Sequence, residues 1–227
     1  MGCSWVREEN LADASTASKR PPVPVGTLLA SRLGCLKARP HAPKATSAEE
    51  QQRKVDPRLD ELQVVRTIGV GGSAKVVQAK HKLTGEFCAL KVVPKASIFE
   101  SEERIRRIAD EVRIHSQLSH PFIVSLRRAF QTPTHLFMEM EFCAGGELLT
   151  HLQRVGSLGE VDARFYASEI TLGVEYLHSQ GVLWRDLKPE NCLLDGAGHI
   201  RLADFGLSQA GLTASSRFTC FVGSAGY

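Results

Sequence analysis

Leu183-Trp184-Arg185-Asp186-Leu187-Lys188-Pro189-Glu190-Asn191, followed by Asp204-Phe205-Gly206, is the stretch on which the reading of this chain turns. It gathers a carboxylate, an ammonium and an amide on one short, proline-marked loop, with a second carboxylate close behind. Carboxylate and amide oxygens are hard ligands of the kind magnesium takes. A carboxylate beside an ammonium can orient or deprotonate a hydroxyl while the positive charge stabilises a group in transfer. The nonamer and the Asp-Phe-Gly triplet together are far too specific to arise by chance. Asp186 is therefore read as the residue that accepts or orients a hydroxyl proton, Lys188 as a charge stabiliser, and Asn191 and Asp204 as magnesium ligands.

Two upstream signals name the transferred group. Gly69-Val70-Gly71-Gly72-Ser73-Ala74-Lys75-Val76 lies between two predicted strands. Glycines there let backbone N–H groups approach and cover phosphates, although any glycine-rich hairpin would look similar. Lys91, in Cys88-Ala89-Leu90-Lys91, sits inside an apolar strand, where its charge needs a partner. Nucleotide phosphates and Glu111, on the next predicted helix, would supply it; a lysine reaching solvent is the plain alternative. With the downstream loop, this set fits phosphoryl transfer, which needs mainly positioning and charge neutralisation.

The patterning around these motifs predicts a small antiparallel sheet with one main helix, then a helical region. Strands are expected from Leu62, over Ala74–Ala79, Phe87–Val93, Val124–Phe130 and Leu136–Phe142. A helix is expected over Glu102–Leu118. Beyond Gly145-Gly146 a second helix runs over Glu160–Ser179, with Tyr166, Ile170, Gly173 and Leu177 on one face. Short strands flank Asp195-Gly196 and end at Asp204.

In order and spacing, the glycine loop, Lys91, Glu111, Asp186, Asn191 and Asp204 resemble eukaryotic protein kinases. The resemblance covers roughly Leu62 to Tyr227. Lys188-Pro189-Glu190 is similar to serine/threonine kinases. His120-Pro121-Phe122-Ile123-Val124, Ala144-Gly145-Gly146-Glu147-Leu148, Ala163-Arg164-Phe165-Tyr166 and Gly198-His199-Ile200-Arg201-Leu202 resemble the AGC group, which includes the cyclic-nucleotide-dependent and ribosomal-protein kinases. The resemblance implies an α+β, bilobal protein-kinase fold. Its antiparallel-sheet small lobe would span about 59–142 and an incomplete helical large lobe about 143–227, after a disordered tail over 1–58.

It also implies ATP and Mg2+ as cofactors. Ile68 and the glycine run Gly69 to Val76 would cover the nucleotide. Val76, Ala89 and Leu193 would sandwich adenine, Met140 would be the gatekeeper, and the backbone of Glu141 and Cys143 the hinge. Glu147 and Glu190 would contact ribose or a basic residue of the substrate, so protein substrates with basic residues near the acceptor are expected. A kinase-like ATP-binding or regulatory module without efficient turnover is the alternative.

The chain also departs from the family pattern. Ala74 stands where a third glycine is usual. Trp184 replaces the usual His or Tyr; it would pack under Phe205, and its N–H then wants a partner. His115 falls where the family stacks an apolar side chain over Phe205, so it would be buried neutral or would loosen that stack. Arg185 matches the family's partner for a phosphorylated activation segment. Cys220 occupies the usual phosphothreonine position, with Thr219 one residue early and Thr213, Ser215 and Ser216 upstream. Ser224 fits the hydroxyl before the substrate loop. Tyr227 falls just before the family's Ala-Pro-Glu, so the large lobe is expected to be incomplete. The faces of Phe165, Tyr166, Ile170 and Leu177 would then lack cover, giving a weakly stable, weakly active chain.

Composition sets the outer limits. The 227 residues are 43% hydrophobic and 23% charged, as in ordinary globular proteins, and suffice for one good-sized domain plus a tail. A net charge of +3, with no basic stripe interleaved with aromatics, gives no argument for nucleic acid. Six cysteines without metal or redox spacing read as reduced thiols in a cytoplasmic setting. Residues 1 to about 55 are rich in Pro, Ala, Ser and Thr and bury too little apolar surface to fold. Met1-Gly2-Cys3-Ser4 resembles acylated N-termini, which would tether the chain to a membrane through Gly2 and Cys3, but Val6 stands where that pattern wants Ser or Thr.

Overall fold

A computed structural model of the chain describes residues 56–72, 74–212 and 216. Gly2, Cys3, Ser73, Thr213, Ser215, Thr219, Cys220 and Ser224 lie outside the described residues.

The first described element is a helical turn, α1 (Pro57–Asp60), whose N-cap Asp56 accepts from the Arg58 N–H at 3.0 Å. It falls across the expected tail boundary at 58, and Leu59 packs onto the sheet core. Five antiparallel strands follow: β1 (Leu62–Val70), β2 (Lys75–His81), β3 (Phe87–Pro94), β4 (Leu126–Gln131) and β5 (His135–Glu141). They pair in the order β1-β2-β3-β5-β4. The alternation expected of a pleated strand appears in β3. Lys91 pairs with Val76 and Met138, and Ala89 with Gln78 and Met140. Ala89 and Lys91 share one face; Cys88 and Leu90 point to the other.

Several strand limits shift from the sequence reading. β2 starts at Lys75 rather than Ala74, because the Gly71 N–H turns back to the Ala74 carbonyl at 2.8 Å. β4 starts at Leu126 rather than Val124, and β5 runs from His135 to Glu141 rather than Leu136 to Phe142. Val124 is diverted into the second half of the molecule, donating its N–H to the Leu202 carbonyl at 2.9 Å.

Between β3 and β4 come a short α2 (Lys95–Ile98) and the main helix α3 (Glu102–Gln117). Ser101 caps α3 by accepting from the Arg104 N–H at 3.2 Å, and Glu102 and Glu103 suit the positive end of the helix dipole. Ion pairs Glu102–Arg106 and Glu103–Arg107 run along its outer side. The inner side buries Glu111, Val112, Ile114 and His115. Val112 joins Val93, Ile98, Ala129, Leu136 and Met138 in the core under the sheet.

The second half holds β6 (Gly146–Glu147), α4 (Leu148–Val155), α5 (Glu160–Ser179), a 3-10 turn (Pro189–Asn191), β7 (Cys192–Leu194) and β8 (Ile200–Leu202). Strand β8 ends at Leu202, two residues short of the expected Asp204. β6, β7 and β8 form a small antiparallel sheet. Helix α5 crosses it through Gly173, where a Cβ would lie 2.7 Å from Leu202 Cδ1. This contact covers the part of the helix face around Gly173 and Leu177. Leu177 is fully buried among Val182, Trp184, Ile200 and Leu202, and Tyr166 and Ile170 pack against the same cluster. Phe165 remains 42% exposed. No helix among the described residues is long and apolar enough to cross a membrane.

Candidate active site

A cleft of about 640 Å³ lies where the sheet meets the second half. Its walls come from both. Ile68, Gly69, Val70, Gly71, Ala74 and Val76 line it from the β1–β2 hairpin, and Ala89 and Lys91 from β3. Glu111 enters from α3; Met140 and Glu141 at the end of β5 and Cys143 just beyond it form one edge; and Glu147, Glu190, Asn191, Leu193 and Asp204 close the far side. Residues separated by more than a hundred positions thus converge on one cleft. Gly72 and Lys75 do not line the cleft; both are exposed at the hairpin end. Asp186 and Lys188 do not line the cleft; Asp186 adjoins it through the Asn191 amide and holds Lys188.

Lys91 Nζ lies 2.6 Å from Glu111 Oε1 and 3.4 Å from Asp204 Oδ1. Burial alone would lower the Lys91 pKa, but the carboxylates of Glu111 and Asp204 outweigh it and hold the ammonium above its ordinary range. Burial pushes the Glu111 carboxyl up, and the Lys91 ammonium beside it offsets part of that rise. The site therefore holds a fixed positive charge at the cleft wall, backed by a carboxylate on α3.

The loop after Trp184 explains the spacing of its polar residues. Lys188 is extended, and Pro189 then starts the 3-10 turn with a φ already suited to it. That turn folds Asn191 back so that its Nδ2 donates to the Asp186 carbonyl at 2.9 Å and to Asp186 Oδ2 at 2.8 Å. With Nδ2 so committed, the Asn191 amide oxygen is the atom left for a cation. Lys188 Nζ lies 2.9 Å from Asp186 Oδ2, which raises the lysine's pKa through that hydrogen bond.

Asp204 has φ +58° and Arg185 φ +68°, the two described non-glycine residues in the left-handed region. Such strain persists only where neighbours hold it. Asp204 is held by the Trp184 Nε1–H, which donates to its carbonyl at 2.9 Å, and by the Gly206 N–H on Oδ1 at 3.2 Å. A Cβ at Gly206 would lie 3.2 Å from Asp204 Oδ1, so a larger residue there would press the carboxylate aside by a few tenths of an ångström. Trp184, 3% exposed, tilts against Phe205 with ring centroids 6.2 Å apart. The indole thus finds the partner its burial requires.

His115 resolves the other departure. It packs on Phe205 at 4.8 Å, and its Nε2–H donates to the Val124 carbonyl at 2.6 Å. Burial pushes its pKa from 6.5 down to about 4. The ring is buried neutral, and its hydrogen bond ties α3 to the segment that pairs with Leu202. The folded protein resists a proton that the unfolded chain accepts from about pH 6.5 downward. This contribution to stability is therefore present above pH 6.5 and lost as pH falls toward 4, at up to about 1.4 kcal/mol per pH unit. Denaturation midpoints at pH 7 and pH 5 are expected to differ less in His115→Leu than in the parent protein.

The sequence reading missed Thr150 and Ala203 on the cleft wall. Ala203 was legible beside Asp204, and its N–H donates to the Asn191 carbonyl at 2.9 Å. Thr150 had no signal, because its direction depends on the turn at Gly146, which has φ +74°.

Comparison with known proteins places this geometry. The model of the family described as "Protein kinase domain" matches residues 62–227. The chain belongs to the protein kinase family. It is 44% identical over 163 residues to rat serine/threonine-protein kinase Sgk3, covering 72% of this chain and 33% of that protein. It is 42% identical over 163 residues to human serine/threonine-protein kinase Sgk2, covering 72% of this chain and 44% of that protein. Atypical protein kinase C of Drosophila melanogaster is 40% identical over 170 residues, covering 74% of this chain and 28% of that protein. The chain spans less than half the length of each of these curated relatives. These matches agree with the AGC-like resemblance of the kinase domain.

The donor set of this kinase domain fits magnesium–ATP. Asp204 and Asn191 offer hard oxygens at one end of the cleft, Lys91 offers a fixed cation, and Val76, Ala89, Met140 and Leu193 offer an apolar slot.

Proposed function

We propose that this chain is the catalytic core of an ATP- and magnesium-dependent protein serine/threonine kinase. The observation that carries the reading is the joined polar set: Glu111–Lys91–Asp204 on the cleft wall and Lys188–Asp186–Asn191 on the adjoining loop. When bound, magnesium–ATP supplies an electrophilic γ-phosphoryl group whose charge the metal partly neutralises. Asn191 and Asp204 are the residues to hold that metal. Lys91, fixed by Glu111, is placed to grip phosphate oxygens. Asp186 orients the acceptor hydroxyl and takes its proton, while Lys188 stabilises negative charge at the same atoms. The glycine hairpin covers the cleft and limits the entry of water.

Acceptor class follows from the loop and the acidic rim. Glu147 and Glu190 line the outer cleft, where they suit ribose or an arginine of the acceptor peptide. Purified protein supplied with peptides matched except at the acceptor is expected to phosphorylate Ser and Thr over Tyr. Replacing an upstream Arg by Ala is expected to raise KM more than it lowers kcat. Equal rates on Tyr, or indifference to the Arg, would count against the acceptor assignment.

A further inference from the structure

On the face of the sheet opposite the cleft, His81 of β2, Cys88 of β3 and Glu139 of β5 come together. Their candidate ligand atoms, one imidazole nitrogen, one sulfur and one carboxylate oxygen, all lie within 4.8 Å of one another. Cys88 is fully buried, Glu139 is 2% exposed, and His81 Nε2 stands 2.9 Å from Glu139 Oε1 at the solvent side. None of these residues contributes to the cleft.

We propose that His81, Cys88 and Glu139 form a site for a borderline-soft divalent cation of the zinc type. The donor set decides the metal class. One nitrogen, one thiolate sulfur and one carboxylate oxygen suit zinc, whereas magnesium and calcium take oxygen alone. The size also fits. Zinc with bonds of about 2.0–2.3 Å places neighbouring tetrahedral ligand atoms roughly 3.3–3.8 Å apart. The three atoms need to move by no more than about 1 Å to reach that arrangement, with water as the fourth ligand.

The local charge favours it as well. Glu139 is paired through its other oxygen with Arg128, which also holds Glu61 at 2.8 Å, leaving that trio with one net negative charge. Arg127 and Glu86 nearby offset each other at 3.5 Å. Binding forms a metal–sulfur bond and releases the Cys88 thiol proton to solvent. A dication together with the resulting thiolate contributes one positive charge, which brings the cluster to neutrality. The cation would clip three strands whose other face carries Ala89, Lys91 and Met140.

The test uses chelator-treated full chain and two metal probes. Calorimetric titration with Zn2+ alone is expected to show one tight ion per chain. Substitution with Co2+ is expected to give a thiolate-to-metal charge-transfer band in the near ultraviolet. Cys88→Ala should abolish the band, and Cys192→Ala should retain it. Because Cys88 is buried and its replacement could disturb folding, His81→Gln, at the solvent side, is the second variant. It should weaken Zn2+ binding at least about 100-fold while keeping the circular dichroism of the parent. Absence of the Co2+–thiolate band, or Zn2+ binding unchanged by His81→Gln, would overturn the site.

Discussion

Asp186→Asn is expected to lower phosphoryl transfer by about two to four orders of magnitude while leaving nucleotide affinity within a few-fold of the parent. The asymmetry follows from placement. Asp186 is 8% exposed, bonded to Asn191 and Lys188, and is not among the residues lining the nucleotide slot. An asparagine keeps an oxygen for the Asn191 N–H but cannot accept a hydroxyl proton. Initial rates with saturating peptide, read beside equilibrium binding of a fluorescent ATP analogue, separate the two effects. Binding and turnover lost together would mean that Asp186 supports the cleft rather than the reaction.

The second large effect concerns the buried ion pair. Lys91→Met is expected to abolish transfer and also to destabilise the fold by about 3–5 kcal/mol, because it strands the carboxylate of Glu111, which is 5% exposed. Lys91→Met/Glu111→Leu replaces both charges by apolar groups and is expected to recover most of that stability without recovering transfer. Denaturant unfolding of the parent, the single variant and the double variant forms the cycle. A double variant no more stable than Lys91→Met would show that Glu111 makes its contribution elsewhere.

How far the sequence could be read depends on whether an interaction is local. Lys91, Glu111, Asp186, Asn191 and Asp204 were legible because each sits in a short motif whose spacing is set by a strand, a helical turn or a proline-led loop. The helix over Glu160–Ser179 was legible in full, since its apolar face repeats at helical spacing. Strand ends were less so. Val124 looks like a strand residue, but its N–H goes to Leu202 across the cleft floor, a partner that no local pattern announces. Gly72 and Lys75 belong to the same motif as Gly69 and Val76, yet the hairpin turn carries them away from the cleft.

The two aromatic departures teach the same lesson. From the sequence, Trp184 needs a partner for its N–H beneath Phe205, and His115 is either buried neutral or loosens the stack. In the fold each polar atom finds a backbone carbonyl, Val124 for the imidazole and Asp204 for the indole. The substitutions therefore add hydrogen bonds to a stack that is otherwise apolar. The cluster of His81, Cys88 and Glu139 was invisible beforehand, because its members lie on three strands and only the register of the sheet aligns them.

The most direct test of the central claim follows labelled γ-phosphate from ATP onto a serine peptide, with and without magnesium, in the parent protein and in Asp204→Asn. The parent is expected to transfer label only with magnesium, and Asp204→Asn is expected to lose that transfer while keeping its fold. Label reaching the peptide at an undiminished rate in folded Asp204→Asn protein, or in the parent with magnesium removed, would contradict the account.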